Sequence, residues 1–154
     1  MPKIDIASAP VRTSTIYPPP YDKVTVGREK IALGNLAGLT QFGVNLTRLK
    51  PGAWSSLRHW HENEDEFVFV IDGELTLIED GGGTVLKAGE CAGFPAGARN
   101  GHHLVNTSAR DATYLEFGTR APSEYSVYSD IDLAVTRDGK DFRFTRKSTG
   151  EPYP

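Results

Sequence analysis

Glu66-Phe67-Val68-Phe69-Val70-Ile71-Asp72-Gly73-Glu74-Leu75-Thr76-Leu77-Ile78 consists of two short apolar runs joined at Asp-Gly. Each run is too short for a packed helix and rich in β-branched and aromatic residues, so both read as strands. Asp-Gly between two such runs predicts a tight hairpin. Outward from this stretch the same pattern repeats at intervals of roughly ten residues, with candidate strands at Gln41–Leu49, Ser55–His61, Thr84–Leu86, Glu90–Phe94, Gly101–Asn106, Thr113–Phe117 and Tyr125–Tyr128. Pro51-Gly52 and Asp80-Gly81-Gly82-Gly83 mark further reversals. No amphipathic helix of useful length, internal repeat or heptad pattern competes with this reading. The expectation is all-β: a compact antiparallel sandwich or barrel.

A chain of 154 residues fits one domain with its own core. Residues 41–130 are read as the barrel, 1–40 as an N-terminal arm packing on it or on a partner subunit, and 131–154 as a C-terminal tail. The first 23 or so residues of the arm are proline-rich, and Pro18-Pro19-Pro20 predicts a stiff polyproline stretch. Lys and Arg number 17 against 20 Asp and Glu, a net charge of −3, so no basic excess favours nucleic acid. No apolar run approaches the roughly 20 residues of a membrane span, and the N-terminus lacks a signal-peptide core. The single cysteine, Cys91, forbids an intrachain disulfide, points to a cytoplasmic setting and is read as a small core residue.

Strand alternation has a consequence for Glu66–Ile71. If Glu66 faces the interior, so do Val68 and Val70, while Phe67, Phe69 and Ile71 face out, joined by Trp60 from the preceding strand. Large apolar groups in water require a cover. A homodimer with arm or strand exchange across this face is the expected solution.

All four histidines fall in two clusters, His59-Trp60-His61 and His102-His103. On a strand, His59 and His61 project to one face, and Glu66 follows five residues later. Two imidazoles, a carboxylate and a third imidazole from elsewhere suit a divalent metal. The wider spacing is Gly52, His59-x-His61, Glu66, Gly73, then Gly89, Pro95-x-Gly97, His102 and Asn106. Over residues 52–106 this resembles the two motifs of the cupin superfamily. Two departures fall in loops: Gly52 lies one residue further from His59 than usual, and four residues rather than two separate Gly97 from His102.

The resemblance implies a double-stranded β-helix, or jelly-roll, with His59, His61, Glu66 and His102 holding one divalent metal ion (Zn, Fe, Mn or Ni). His103 then falls on the opposite strand face. It also implies a small single-domain bacterial protein akin to sugar-phosphate-isomerase-like or dioxygenase-like relatives. An isomerase of phosphorylated sugars needs basic side chains in the pocket, for which Arg48 and Arg99 are the nearest candidates. A dioxygenase needs an apolar pocket, for which Leu57, Val68, Val70 and Leu104 are candidates. Glu116 shares a strand face with Tyr114 and, if interior, needs a partner for its charge. The expected function is a metal-dependent isomerase or dioxygenase acting on a small oxygenated molecule. The alternative is a metal-containing binding or sensor module without turnover. A nucleic-acid regulator ranks last, because no helical reading domain fits in the chain.

Overall fold

The computed structural model describes residues 3–154, and nearly all of its regular elements are strands. In chain order the strands are β1 (Arg28–Ile31), β2 (Phe42–Leu49), β3 (His59–His61), β4 (Glu66–Asp72), β5 (Glu74–Glu79) and β6 (Gly82–Lys87). They continue with β7 (Cys91–Phe94), β8 (His103–Val105), β9 (Ala112–Thr119), β10 (Ser123–Tyr128), β11 (Ala134–Asp138) and β12 (Asp141–Thr145). One four-residue helix, α1 (Leu33–Leu36), and two single 3₁₀ turns are the only helical elements among the described residues. Every ladder is antiparallel, in three sheets ordered β1-β2-β9-β4-β7, β12-β11-β10-β3 and β6-β5-β8. Isolated bridges between His59 and His102, and between Trp54 and Val105, tie β3 and its lead-in to the β8 edge.

All nine candidate strands overlap observed ones. Their limits are corrected where the backbone leaves the ladder, most clearly at Ser55–Arg58, which bends before β3 begins. The Asp72-Gly73 turn is also corrected. It is not a hairpin, because β4 pairs with β7 and β9 whereas β5 pairs with β6 and β8. Here the chain turns a corner from one sheet to the next. Gly73 has φ of 77°, and a Cβ on it would stand 2.8 Å from the Asp111 carbonyl oxygen. Only glycine fits both constraints. The second reversal is a true hairpin, with Glu79 paired to Gly82 around Asp80-Gly81.

Three strands lie outside the expected barrel limits. β1, within the expected arm, pairs with β2 over its whole length. The expected C-terminal tail instead forms the β11–β12 hairpin, with Asp138 opposite Asp141 across Gly139-Lys140. The physical reason is apolar burial: Leu133, Val135 and Leu57 pack with Tyr128 in a second core cluster, to which Tyr17, Phe144 and Tyr153 add. The basic stretch Arg143–Lys147 accordingly starts inside β12, and the Lys147 ammonium donates to the Tyr128 carbonyl at 2.7 Å. Pro18-Pro19-Pro20 does not extend as a polyproline helix. The Pro19–Pro20 bond is cis, and the Tyr21 amide donates to the Pro18 carbonyl, closing a turn.

The main core lies inside the β2, β4, β5 and β9 walls, where Leu49, Val70, Leu75 and Tyr114 are each at most 1% exposed. The alternation in β4 is as expected: Val68 and Val70 are buried, and Phe67, Phe69 and Ile71 are 41%, 37% and 46% exposed. Across the sheet, Phe67 pairs with Phe117, which pairs in turn with Val44, and Phe69 pairs with Leu115, which pairs with Leu46. Trp60 does not join them. It belongs to the β3 sheet, is half-buried and carries the Arg99 guanidinium 5.5 Å above its ring. Cys91 is exposed opposite Phe69 on the outer surface, not in the core, because its parity in β7 matches the outward residues of β4.

If the C-terminal hairpin is integral to the fold, Leu133→Ala must weaken the whole molecule. Denaturant unfolding of this variant is expected to show a loss of about 2–5 kcal/mol, the usual range for emptying a buried leucine site. A change near zero would mean that residues 131–154 are dispensable.

Candidate metal centre

Four side chains named from the sequence meet inside the barrel. His59 and His61 descend from β3, Glu66 from the start of β4, and His102 from the segment leading into β8. The His59 and His61 Nε2 atoms are 3.1 Å apart, and His61 Nε2 lies 3.2 Å from Glu66 Oε1. Glu66 Oε2 is 2.5 Å from His102 Nε2 and 3.7 Å from His59 Nε2. Two donors about 2.1 Å from one ion and at right angles stand about 3 Å apart, so these spacings fit ligands to one centre. His59, His61 and Glu66 form a compact group able to hold a metal ion. His102 joins it through the shared carboxylate.

The rings are held from behind. His59 Nδ1 lies 2.7 Å from the Leu57 carbonyl oxygen, so that nitrogen carries the proton and Nε2 presents its lone pair to the cavity. His61 Nδ1 meets Ser126 Oγ at 2.9 Å, with a Glu124 oxygen 3.7 Å away. His102 stacks on Phe94, with ring centroids 3.6 Å apart and planes within 4°. Its buried Nδ1 has no partner, so the neutral ring donates from Nε2 to Glu66 and leaves only an acceptor lone pair unmatched. His103 turns elsewhere: its Nδ1 is 2.7 Å from the Ser56 carbonyl, and its ring meets Trp54 edge-on.

Electrostatics matches this arrangement. Burial would raise the Glu66 carboxyl, but hydrogen bonds from His102 and His61 outweigh it and hold the group well below its ordinary value. Burial lowers His102 and keeps it neutral. For His61 burial also acts downward, yet hydrogen bonds to Glu124 and Glu66 prevail and push it up to about 10. Glu124 is anchored in turn by the backbone amides of Glu62 and Asn63 at 2.8 and 3.0 Å.

The group borders a cavity of about 430 Å³. Of the residues expected to line it, Val68, Leu104 and Glu116 do so. Arg48, Leu57, Val70 and Arg99 do not, each for a clear reason. Arg48 faces out from β2 and pairs with Glu29. Arg99 sits on Trp60 outside the barrel, Leu57 belongs to the second core cluster, and Val70 is sealed in the main one. Sequence reasoning missed Arg28 and Lys30 from β1, and Arg12 and Tyr17 from the arm, all of which reach the cavity wall. The alternation in Arg28-Glu29-Lys30-Ile31 was the available signal. Glu116 has its partners: Lys30 Nζ at 2.5 Å, Asn45 Nδ2 at 3.0 Å and the Tyr114 hydroxyl at 3.5 Å.

The Cupin domain family model matches residues 45–118. A solved structure described as a sugar phosphate isomerase from a cupin superfamily, from Silicibacter pomeroyi, is 48% identical, covering 99% of this chain and 97% of its own at a TM-score of 0.96. This chain is a cupin. The polyketide cyclase RemF from Streptomyces resistomycificus shares the fold at 16% identity, covering 77% of this chain and 79% of its own, with a TM-score of 0.64. A curated relative, polyketide synthase CurC from Streptomyces cyaneus, is 26% identical over 117 residues, 75% of this chain and 74% of that protein. No helix among the described residues of the cupin is long and apolar enough to cross a membrane.

The Glu124 and Glu66 carboxylates favour a protonated His61. Because its pKa lies above the ordinary 6.5, the protonated ring contributes stability to the metal-free protein that is complete below pH 6.5 and is lost as pH rises toward 10. A metal ion needs the neutral ring. Metal uptake near pH 7.5 is therefore expected to expel about one proton from His61, and affinity is expected to rise with pH. Calorimetry in two buffers of different ionisation heat measures this directly; uptake without proton release would contradict the assignment. By elemental analysis, His61→Ala and His102→Ala should lose the metal and His103→Ala should retain it. The opposite pattern for the two adjacent histidines would shift the ligand assignment by one residue.

Proposed function

We propose that this cupin is a metal-dependent enzyme acting on a small oxygenated molecule, with isomerase chemistry favoured over dioxygenase chemistry. The observation that carries the reading is the convergence of His59, His61, Glu66 and His102 on a cavity large enough for a small substrate. An ion held by these four groups would polarise a substrate carbonyl or hydroxyl oxygen and leave coordination positions open for it. The rest of the wall supports the choice of chemistry. It contains an ion pair, Lys30 with Glu116, and the Tyr114 hydroxyl beside Glu116, groups suited to polar substrates and proton movement. Apolar side chains, among them Val68, Leu77, Phe94 and Leu104, share the cavity wall, so the isomerase choice rests on the polar groups rather than on a lack of apolar lining. The sugar phosphate isomerase description of the Silicibacter pomeroyi relative points the same way.

We also propose a homodimer in the cytoplasm, formed through the outer face of β4, β9 and β2. Phe67, Phe69 and Ile71, extended by Phe117, Leu115, Val44 and Leu46, make a continuous apolar surface that a second copy would cover. Phe69→Glu places a charge at its centre. Sedimentation is expected to show a dimer for the unaltered chain and a monomer for the variant; a monomer in both would remove the dimer.

Elemental analysis of untagged protein purified without chelator, alongside His59→Ala, tests the central reading. Stoichiometric metal lost in the variant, followed by aldose–ketose interconversion in a panel of phosphorylated sugars, is the expected outcome. Metal- and substrate-dependent oxygen uptake would favour the dioxygenase version. Saturable binding without product would leave a binding module, and no metal after reconstitution would sink the proposal.

A further inference from the structure

The cavity contains more positive charge than the metal ligands explain. On β1, Arg28 and Lys30 lie two apart and face inward, opposite the fully buried Leu49 and Thr47 of β2. Arg12 pairs with Lys30 through both backbone hydrogen bonds, at 2.8 and 2.9 Å, which fixes it at the cavity rim. The three cations line one wall. Arg28 is 9% exposed, and no carboxylate pairs with it among the described residues. Its two terminal nitrogens donate to the Ser55 and Ser14 carbonyls at 2.6 and 3.0 Å, and its buried Nε has no partner. The Arg12 guanidinium is exposed and likewise meets no carboxylate among the described residues. Glu116, on Lys30, is the one carboxylate on this wall.

On this wall three cations face one carboxylate, a local charge near +2 in a chain whose overall charge is −3, while Glu66, the cavity's other carboxylate, is bonded to the histidines of the cluster. A guanidinium buried without a counter-ion is destabilising unless something supplies one. Carbonyl oxygens solvate the Arg28 guanidinium but do not neutralise it. A bound anion would supply the missing counter-charge.

We propose that Arg12, Arg28 and Lys30 form an anion subsite that takes the phosphate of a small phosphomonoester whose oxygenated end lies at the metal cluster. The inference rests on reading the cavity as a metal-dependent substrate site, and the charge specifies the group: a phosphomonoester carries about −1.5 to −2 near neutral pH, which matches the wall. Arg12 and Lys30 make the direct contacts, and Arg28 contributes field while pinning the arm at Ser14. The spacing also fits. Val68 is directly opposite Glu116, so Glu66 and Glu116 are diagonal neighbours across β4 and β9, with Cβ atoms about 7–8 Å apart. The Lys30 ammonium is at Glu116, so a short carbon chain spans the distance from metal to phosphate.

Calorimetric titration of the full chain with glycerol 3-phosphate, inorganic phosphate and glycerate tests this. One saturable site is expected, with both phosphates tighter than glycerate. Arg12→Ala, at the exposed rim, should weaken phosphate binding by about tenfold, as for a lost charge-assisted contact. The double variant Lys30→Met/Glu116→Gln removes the ion pair at constant net charge and should weaken it by at least as much. The same titration in His59→Ala separates the two readings. Retained phosphate affinity there supports the subsite whether or not a metal is ever found. Affinity lost in His59→Ala but kept in both wall variants would make phosphate a metal ligand and overturn the proposal. Unchanged affinity in the wall variants, absence of saturable binding, or preference for glycerate would overturn it as well.

Discussion

The two-residue period of β4 is the constraint on which the rest of the molecule depends. Glu66, Val68 and Val70 must share a face, and Phe67, Phe69 and Ile71 must share the other. Pointing Glu66 at three histidines therefore also builds the floor of the cavity and exposes an apolar outer surface. A slip of one residue would bury the phenylalanines and expel the carboxylate, exchanging every contact at once. The neighbouring ladders keep that register, since the main-core residues Leu49, Ala112 and Tyr114 take the inward positions on β2 and β9.

Within that frame the candidate metal centre is organised before any ion arrives. The Leu57 carbonyl fixes the His59 tautomer, Ser126 and Glu124 orient His61, and Phe94 holds the plane of His102. Such supports lower the conformational cost of binding, because the imidazoles need not be gathered from many rotamers. Without an ion, the Glu66 carboxylate accepts from His61 and His102, and His59 meets the Leu57 carbonyl and His61, so the polar cluster stays hydrogen-bonded inside the barrel.

What the sequence revealed follows the range of the interactions. His59 and His61 share a strand face, and Glu66 opens the next strand within eight positions, so parity and closeness along the chain were enough to group them. His102 needed the cupin resemblance, because only the fold returns it to the same point. Arg48 and Lys30 show the opposite case. Both are basic and both lie in the β1–β2 ladder, where Lys30 pairs with Thr47 and Arg48 with Glu29. Which one enters the cavity depends on the parity of an edge strand whose charged residues weaken its strand signal. The C-terminal hairpin went unread for a related reason: its apolar positions Leu133, Val135 and Phe144 are too sparse to stand out until Leu57, Tyr128 and Tyr153 surround them.

The arm connects these levels. Its backbone is clamped to Lys30 at Arg12, its Ser14 carbonyl accepts from Arg28, and the Tyr17 hydroxyl accepts from the Leu57 amide at 3.3 Å. Leu57 is the residue whose carbonyl holds His59, and the Tyr17 ring meets Tyr128 edge-on 5.5 Å away, with His59 beyond it. The segment that covers the cavity is thus bonded both to its cationic wall and to the backbone behind a histidine of the metal cluster. Charge recognition and metal geometry then share one physical support, so a ligand that tightened the arm would tighten both.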